Sequence, residues 1–139
     1  MRPHLHGITI ALALAASAAL ILCGSSPTQP TKDGCTLVSA DPLAGTQFKV
    51  GVPVTVTVTA KCSLVSADSG IVFLNGIMSP SSESTVAANR PITRGTTSTM
   101  TMTVTFTLLP ATTSVTMLMG VGTSTGVLGD LVQIAYSAG

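Results

Sequence analysis

The sequence predicts an all-β domain, a sandwich or barrel, preceded by an export signal. Three observations predict it. Apolar residues and Thr alternate with period two over long stretches, most clearly in VPVTVTVTA from Val52 and TSTMTMTVTFTL from Thr97. Gly, Pro and Asn punctuate those stretches, which is the pattern of several short strands joined by turns. No segment after residue 23 shows helical periodicity, whereas Ile8 to Leu22 is almost wholly apolar and follows the positive Arg2. A positive start and a short apolar run describe a signal segment.

That apolar run, ITIALALAASAALIL, has 15 residues, short of the roughly 20 that a spanning helix needs. A signal helix is therefore expected within residues 1–22, with a retained membrane anchor as the competing reading. Two cleavage sites stay open. Leu20-Ile21-Leu22-Cys23 resembles the lipobox of bacterial lipoproteins, with Leu22 standing where that family prefers Gly or Ala. The resemblance implies that Cys23 is lipidated and becomes the first mature residue. Ala16-Ser17-Ala18 is the small-x-small pattern of ordinary cleavage and would release a secreted protein. After Cys23 comes GSSPTQPTKDG, the Gly, Ser and Pro content of a flexible tether. The domain organisation expected is a signal at 1–22, a tether at 23–34 and a β domain at 35–139.

The cysteines bear on the same choice. Cys23, Cys35 and Cys62 make an odd number, which in an exported protein needs an explanation. Lipidation of Cys23 leaves Cys35 and Cys62 to pair, and an oxidising compartment favours the disulfide. The two sit in a short repeat: CTLVSAD from Cys35 recurs as CSLVSAD from Cys62. Only two copies occur, fewer than a repeat architecture requires. Antiparallel strands over 35–41 and 52–62, around a turn near 45–50, would set Cys35 opposite Cys62. Directly opposed residues approach closely enough for a bridge after small adjustment.

The strands follow in order. From Val52, Val52, Val54, Val56, Val58 and Ala60 share one face and Thr55, Thr57 and Thr59 the other. Pro53 cannot donate to a ladder, so this start is expected at an edge or unpaired. Ile71 to Leu74 is a second strand, and Asn75-Gly76 is a turn signal. Residues 79–95 read as a long loop with a weak strand near Thr85 to Ala88. Thr97 to Leu108 alternates Thr with Ser98, Met100, Met102, Val104, Phe106 and Leu108, and Pro110 ends it. Val115, Met117, Met119 and Val121 share a face in the next strand, after which Gly120, Gly122 and Gly126 loosen the chain. Val132, Ile134 and Tyr136 face together in the last. Phe73, Phe106 and Tyr136, which lie in these strands, are expected in the core.

The order VPVTVTVTA, GIVFLNG, TMTMTVTFTLLPATTSVTMLMGV and a closing strand resembles bacterial immunoglobulin-like (Ig-like) domains of surface and secreted proteins, over about residues 36–137. The resemblance implies an Ig-like antiparallel β-sandwich acting as a spacer or binding scaffold, with no catalytic residues to carry over.

Composition excludes several functions. Charged residues are 8% and aromatics 3% of the chain, against about 25% charged in an average soluble protein. Past residue 23 five basic residues balance five acidic ones, so no basic stripe exists for a phosphate backbone and no nucleic-acid partner is expected. His4 and His6 are the only histidines and fall in the signal. The mature chain then lacks an imidazole for a catalytic triad or the commonest zinc ligand. No catalytic site, metal or cofactor is expected. Leu109-Pro110-Ala111-Thr112-Thr113 resembles a sortase signal but departs at Thr113 and lacks an apolar tail, so it reads as a turn. Asn75 and Asn89 lack the following x-Ser/Thr of a glycosylation acceptor.

The function expected is that of a non-enzymatic exported lipoprotein, held on the periplasmic or extracellular side of a membrane by its lipid. Its Ig-like module would be structural or adhesive toward a protein or glycan. The alternatives are a freely secreted sandwich and an assembly subunit that pairs sheet edges, for which few charges guard the strands.

Overall fold

The computed structural model describes residues 29–81 and 84–139, so the signal, its cleavage sites and Cys23 lie outside the described residues. Eight strands make up the fold, with no helix among the described residues: β1 (Gly34–Asp41), β2 (Gln47–Phe48), β3 (Pro53–Ser63), β4 (Ser69–Ser79), β5 (Ser84–Thr93), β6 (Thr97–Thr107), β7 (Ser114–Thr123) and β8 (Gly126–Ala138). They form one sheet in the order β5-β4-β7-β8-β1-β3-β6, with β2 beside β8. Its two end strands, β5 and β6, approach along Arg90–Thr93 and Ser98–Thr101. The sheet is thus nearly closed into a barrel.

Alternation dictates the interior. Val56, Val58, Ala60 and Cys62 of β3, Met102, Val104 and Phe106 of β6, and Val115, Met117, Met119 and Val121 of β7 are all buried. Val132, Ile134 and Tyr136 of β8 complete the wall. Each set is the apolar half of a period-two strand, and burying such residues is the main favourable term in folding. Phe48 stacks on Tyr136 with centroids 4.6 Å apart and meets Phe106 edge-on at 6.3 Å. The Tyr136 hydroxyl donates to the carbonyl of Pro42 at 2.8 Å, so its polar end is satisfied.

The structure corrects five expectations about the strands. The sheet is mixed, not wholly antiparallel. After β1 the chain runs on along the same edge of β8, the one that β7 leaves open, where the Gly45 N–H donates to the Ala135 carbonyl, and β2 then pairs parallel to β8. The expected turn at 45–50 therefore holds a short strand. Asn75-Gly76 is not a turn, because β4 has partners on both sides there: Gly76 is opposite Met117, and the irregularity is a register shift against β5 between Asn75 and Ile77. Residues 79–95 are not mainly loop, since β5 pairs with β4 from Ser84↔Ile77 to Thr93↔Ser69. Gly120 and Gly122 do not loosen the chain but lie within β7, both buried.

Pro53 opens β3 opposite Thr107 and lies outside the stretch of β3 that β1 pairs with. The Leu109–Thr113 segment is the β6–β7 turn, with the Thr112 N–H donating to the Leu109 carbonyl.

Candidate binding face

Cys35 and Cys62 are directly opposed in the β1–β3 pairing, and they form a disulfide with Cα atoms 4.1 Å apart. Both are buried. The two copies of the repeat then diverge. Thr36 to Asp41 continue as strand, with Leu37 and Val38 exposed, whereas the second copy leaves β3 after Ser63 and buries Leu64. The near-identical segments take two structures because only the first has a partner strand beyond its second residue.

The turn that follows is fixed by Asp33, whose carboxylate accepts from the backbone N–H of Val65 at 2.6 Å and of Ser66 at 3.1 Å. Hydrogen bonding from Ser66, then from Val65, holds the Asp33 carboxyl below its ordinary value. Lys32 pairs with Asp130 on the surface, and the hydrogen bond and charge of Asp130 raise the lysine. Between these contacts β1 meets β8 at Gly34↔Asp130. A Cβ on Gly129 (φ +68) would fall 2.0 Å from the Asp33 carbonyl oxygen, and one on Gly34 (φ +120) 2.4 Å from the Asp130 nitrogen. Only glycines let the two backbones approach this closely.

The barrel carries two unlike outer faces. Over β3 and β6 the outward residues are threonines, paired across the strands. Thr55 bonds Thr105 at 2.9 Å, Thr57 bonds Thr103 at 3.0 Å and Thr59 bonds Thr101 at 2.8 Å, hydroxyl to hydroxyl. Over β4, β7 and β8 the outward residues are Ile71, Phe73, Asn75 and Ile77, then Thr116 and Leu118, then Val127, Leu131, Gln133 and Ala135, so the apolar part lies toward the Ile71 and Val127 end. Ile71 is 42%, Val127 54% and Leu131 37% exposed. Phe73 lies opposite Gly120, where a Cβ would meet its ring at 3.1 Å and the Leu131 side chain at 2.2 Å. The glycine thus lets Phe73 and Leu131 lie flat across β7. A shallow groove runs between them, flanked by Asn75, Asn89 and Gly122 and carrying no charged side chain. The Asn75 side-chain Oδ1 at its edge is buried without a hydrogen-bond partner.

This apolar face was missed from the sequence, although its signal is there. IVFLNGI and MLMGV are apolar at consecutive positions, not alternate ones, which is how a strand with two covered faces reads. The expectation that Phe73 joins the core is corrected accordingly: Phe73 lies on the outer face, and the third core aromatic beside Phe106 and Tyr136 is Phe48.

Among the described residues no three His, Cys, Asp or Glu side chains gather as metal ligands. No helix among them is long and apolar enough to cross a membrane. No protein-family model matches the chain, and no curated protein matches it.

Proposed function

We propose that this chain is an exported, non-catalytic Ig-like module, lipidated at Cys23 and tethered by residues 23–34 to the outer side of a membrane. The observation that carries the reading is the buried Cys35–Cys62 disulfide. Stable disulfides belong to oxidising compartments, and this pairing leaves Cys23, at the end of the apolar run, as the third cysteine.

The pairing pattern supports the Ig-like part. β1, β3 and β6 associate as the A, B and E strands of such a sandwich do. β5, β4, β7 and β8 associate as C′, C, F and G. Two edge features weigh against the assembly-subunit alternative. Arg90 and Pro91 lie on β5 in the cleft between β5 and β6, and a charge and a proline on an end strand both discourage pairing with another chain.

Mass spectrometry of the mature N-terminus from an exporting bacterium tests the proposal. A diacylglyceryl mass on Cys23 is the expected result. A free N-terminus generated after Ala18 would replace the tethered module with a secreted one.

A further inference from the structure

We infer that the apolar face over β4, β7 and β8 rests on the bilayer to which the chain is tethered. The inference depends on the anchoring proposed above and adds to it which surface the membrane takes. Three observations carry it.

The first is chemical. Ile71, Phe73, Ile77, Leu118, Val127 and Leu131 share one outer face, and the groove among them carries no charged side chain. A surface of this kind partitions into the acyl boundary by area alone, without needing anionic lipid.

The second is position. The tether enters at the end of the barrel where this face is most exposed. Lys32 is paired to Asp130, the residue before Leu131, and Asp33 touches Gly129, two residues beyond Val127. Ile71 is opposite Gly122 at the same end. From Cys23 to Pro30 the chain spans at most about 25 Å when fully extended. A lipid on Cys23 therefore keeps this end, and with it Ile71, Val127 and Leu131, within reach of the bilayer.

The third is size. Seven residues of β4 across three strands cover roughly 20 Å by 10–15 Å, about a third of the roughly 800 Å² per partner of a stable protein interface. That is small for a second copy held by this face alone, yet ample for a surface already held by a lipid, where a second weak contact suffices.

The test uses the full chain, produced with its own N-terminus and reconstituted in phosphatidylcholine vesicles whose acyl chains carry a photoactivatable diazirine. Cross-links are mapped by peptide mass spectrometry. The expected result is labelling of the Ile71–Ile77 and Val127–Leu131 peptides beyond that of Thr97–Thr107, unchanged by salt. The double variant Ile71→Asp, Val127→Asp changes only exposed positions and should lower that labelling by roughly tenfold, with the label near Cys23 retained. Its fold is checked by the intact Cys35–Cys62 disulfide and an unchanged thermal midpoint.

A variant that unfolds leaves the wild-type map as the deciding result. Anchored protein labelled only near Cys23, or equally on both faces, overturns the inference and leaves the anchoring intact. A parallel sample that carries photo-leucine in place of leucine tests the other occupant, and protein–protein cross-links through Leu118 or Leu131 overturn the inference in favour of a second copy. A chain that carries no lipid and does not sediment with vesicles overturns both.

Discussion

The two outer faces of this barrel are built from strands of similar length and similar alternation of burial, yet they meet water in opposite ways. On β3 and β6 the outward positions are mostly threonines, and in three successive rungs their hydroxyls meet across the strands at 2.8–3.0 Å. On β4, β7 and β8 the corresponding positions hold Ile71, Phe73, Leu118 and Leu131. The first face keeps β propensity and a wettable surface with almost no charge. The second gives up wettability, which in a monomeric soluble protein marks a contact surface. A chain with 8% charged residues can distinguish its faces only by hydroxyl against methyl, and it does so strand by strand.

The halves also differ in how they are held. β1 and β3, on the threonine side, are joined covalently, while β4 and β7 depend on packing and ladder bonds. Replacing Cys35 and Cys62 together by Ala is the largest perturbation expected. In the chain-entropy model a loop spanning 27 residues stabilises by about 3–4 kcal/mol. Urea unfolding should show that loss as a lower midpoint. A change below about 1 kcal/mol would mean that the β1–β3 pairing holds without its bridge.

The junction between the halves comes next. Gly129→Ala forces a Cβ against the Asp33 carbonyl at a positive φ, with no flexible side chain to yield. A loss of about 2 kcal/mol or more is expected. Increased hydrogen exchange at Gly34 and Asp130, and not at β4, would locate the damage at the β1–β8 contact.

How much of this was legible follows the same division. The threonine half was readable: strict alternation over Val54–Ala60 and Thr97–Thr107 gave strands, faces and the Cys35–Cys62 register, because each strand has one wet and one dry side. The apolar half was not. Ile71 to Ile77 is apolar on both sides, so period two disappears there, and Asn75-Gly76 reads as a hairpin to any local rule. The partners that keep β4 straight, β5 and β7, are set by distant sequence. β5 itself was obscured by Pro91 and Arg90, residues that suit an end strand and resemble a loop. The repeat at Cys35 and Cys62 shows the limit from the other direction, since near-identical heptapeptides adopt different structures. The candidate face followed the same rule: its residues were visible, but their gathering on one side was not.

Smaller changes sharpen the contrast between the faces. Gly120→Ala should displace the Leu131 side chain, because its Cδ2 lies 2.2 Å from the new Cβ. A cost of about 1 kcal/mol is expected, with greater exposure of Phe73 to hydrophobic dyes. On the threonine face, a double-mutant cycle of Thr57→Ala and Thr103→Ala should give a coupling of roughly 0.2–1 kcal/mol. The pair is solvent-exposed, and its hydroxyls can turn to water when either is lost. A coupling above about 2 kcal/mol would make the ladder a structural element, not merely a wettable surface.

The smallest effect expected is one of pH, at the end of the barrel where Asp33 leads into β1. Asp33 has a lowered folded-state pKa because Ser66 and Val65 hydrogen-bond its ionised form. A depressed carboxyl stabilises the fold above its unfolded value, ordinarily 3.8, and loses that contribution as pH falls through the folded value. The loss is therefore confined to acid below about pH 4, and it is small because the group is close to solvent. Asp33→Asn keeps the shape but removes the charge, so it should flatten the acid limb of the stability curve while leaving a slightly less stable protein at neutral pH. Amide exchange at Val65 and Ser66 reports the same event locally: both N–H groups should open in acid in the native chain and be pH-independent, beyond intrinsic exchange, in the variant. An acid limb that survives the substitution would assign it to another carboxylate and free the Leu64–Asp68 turn from dependence on Asp33.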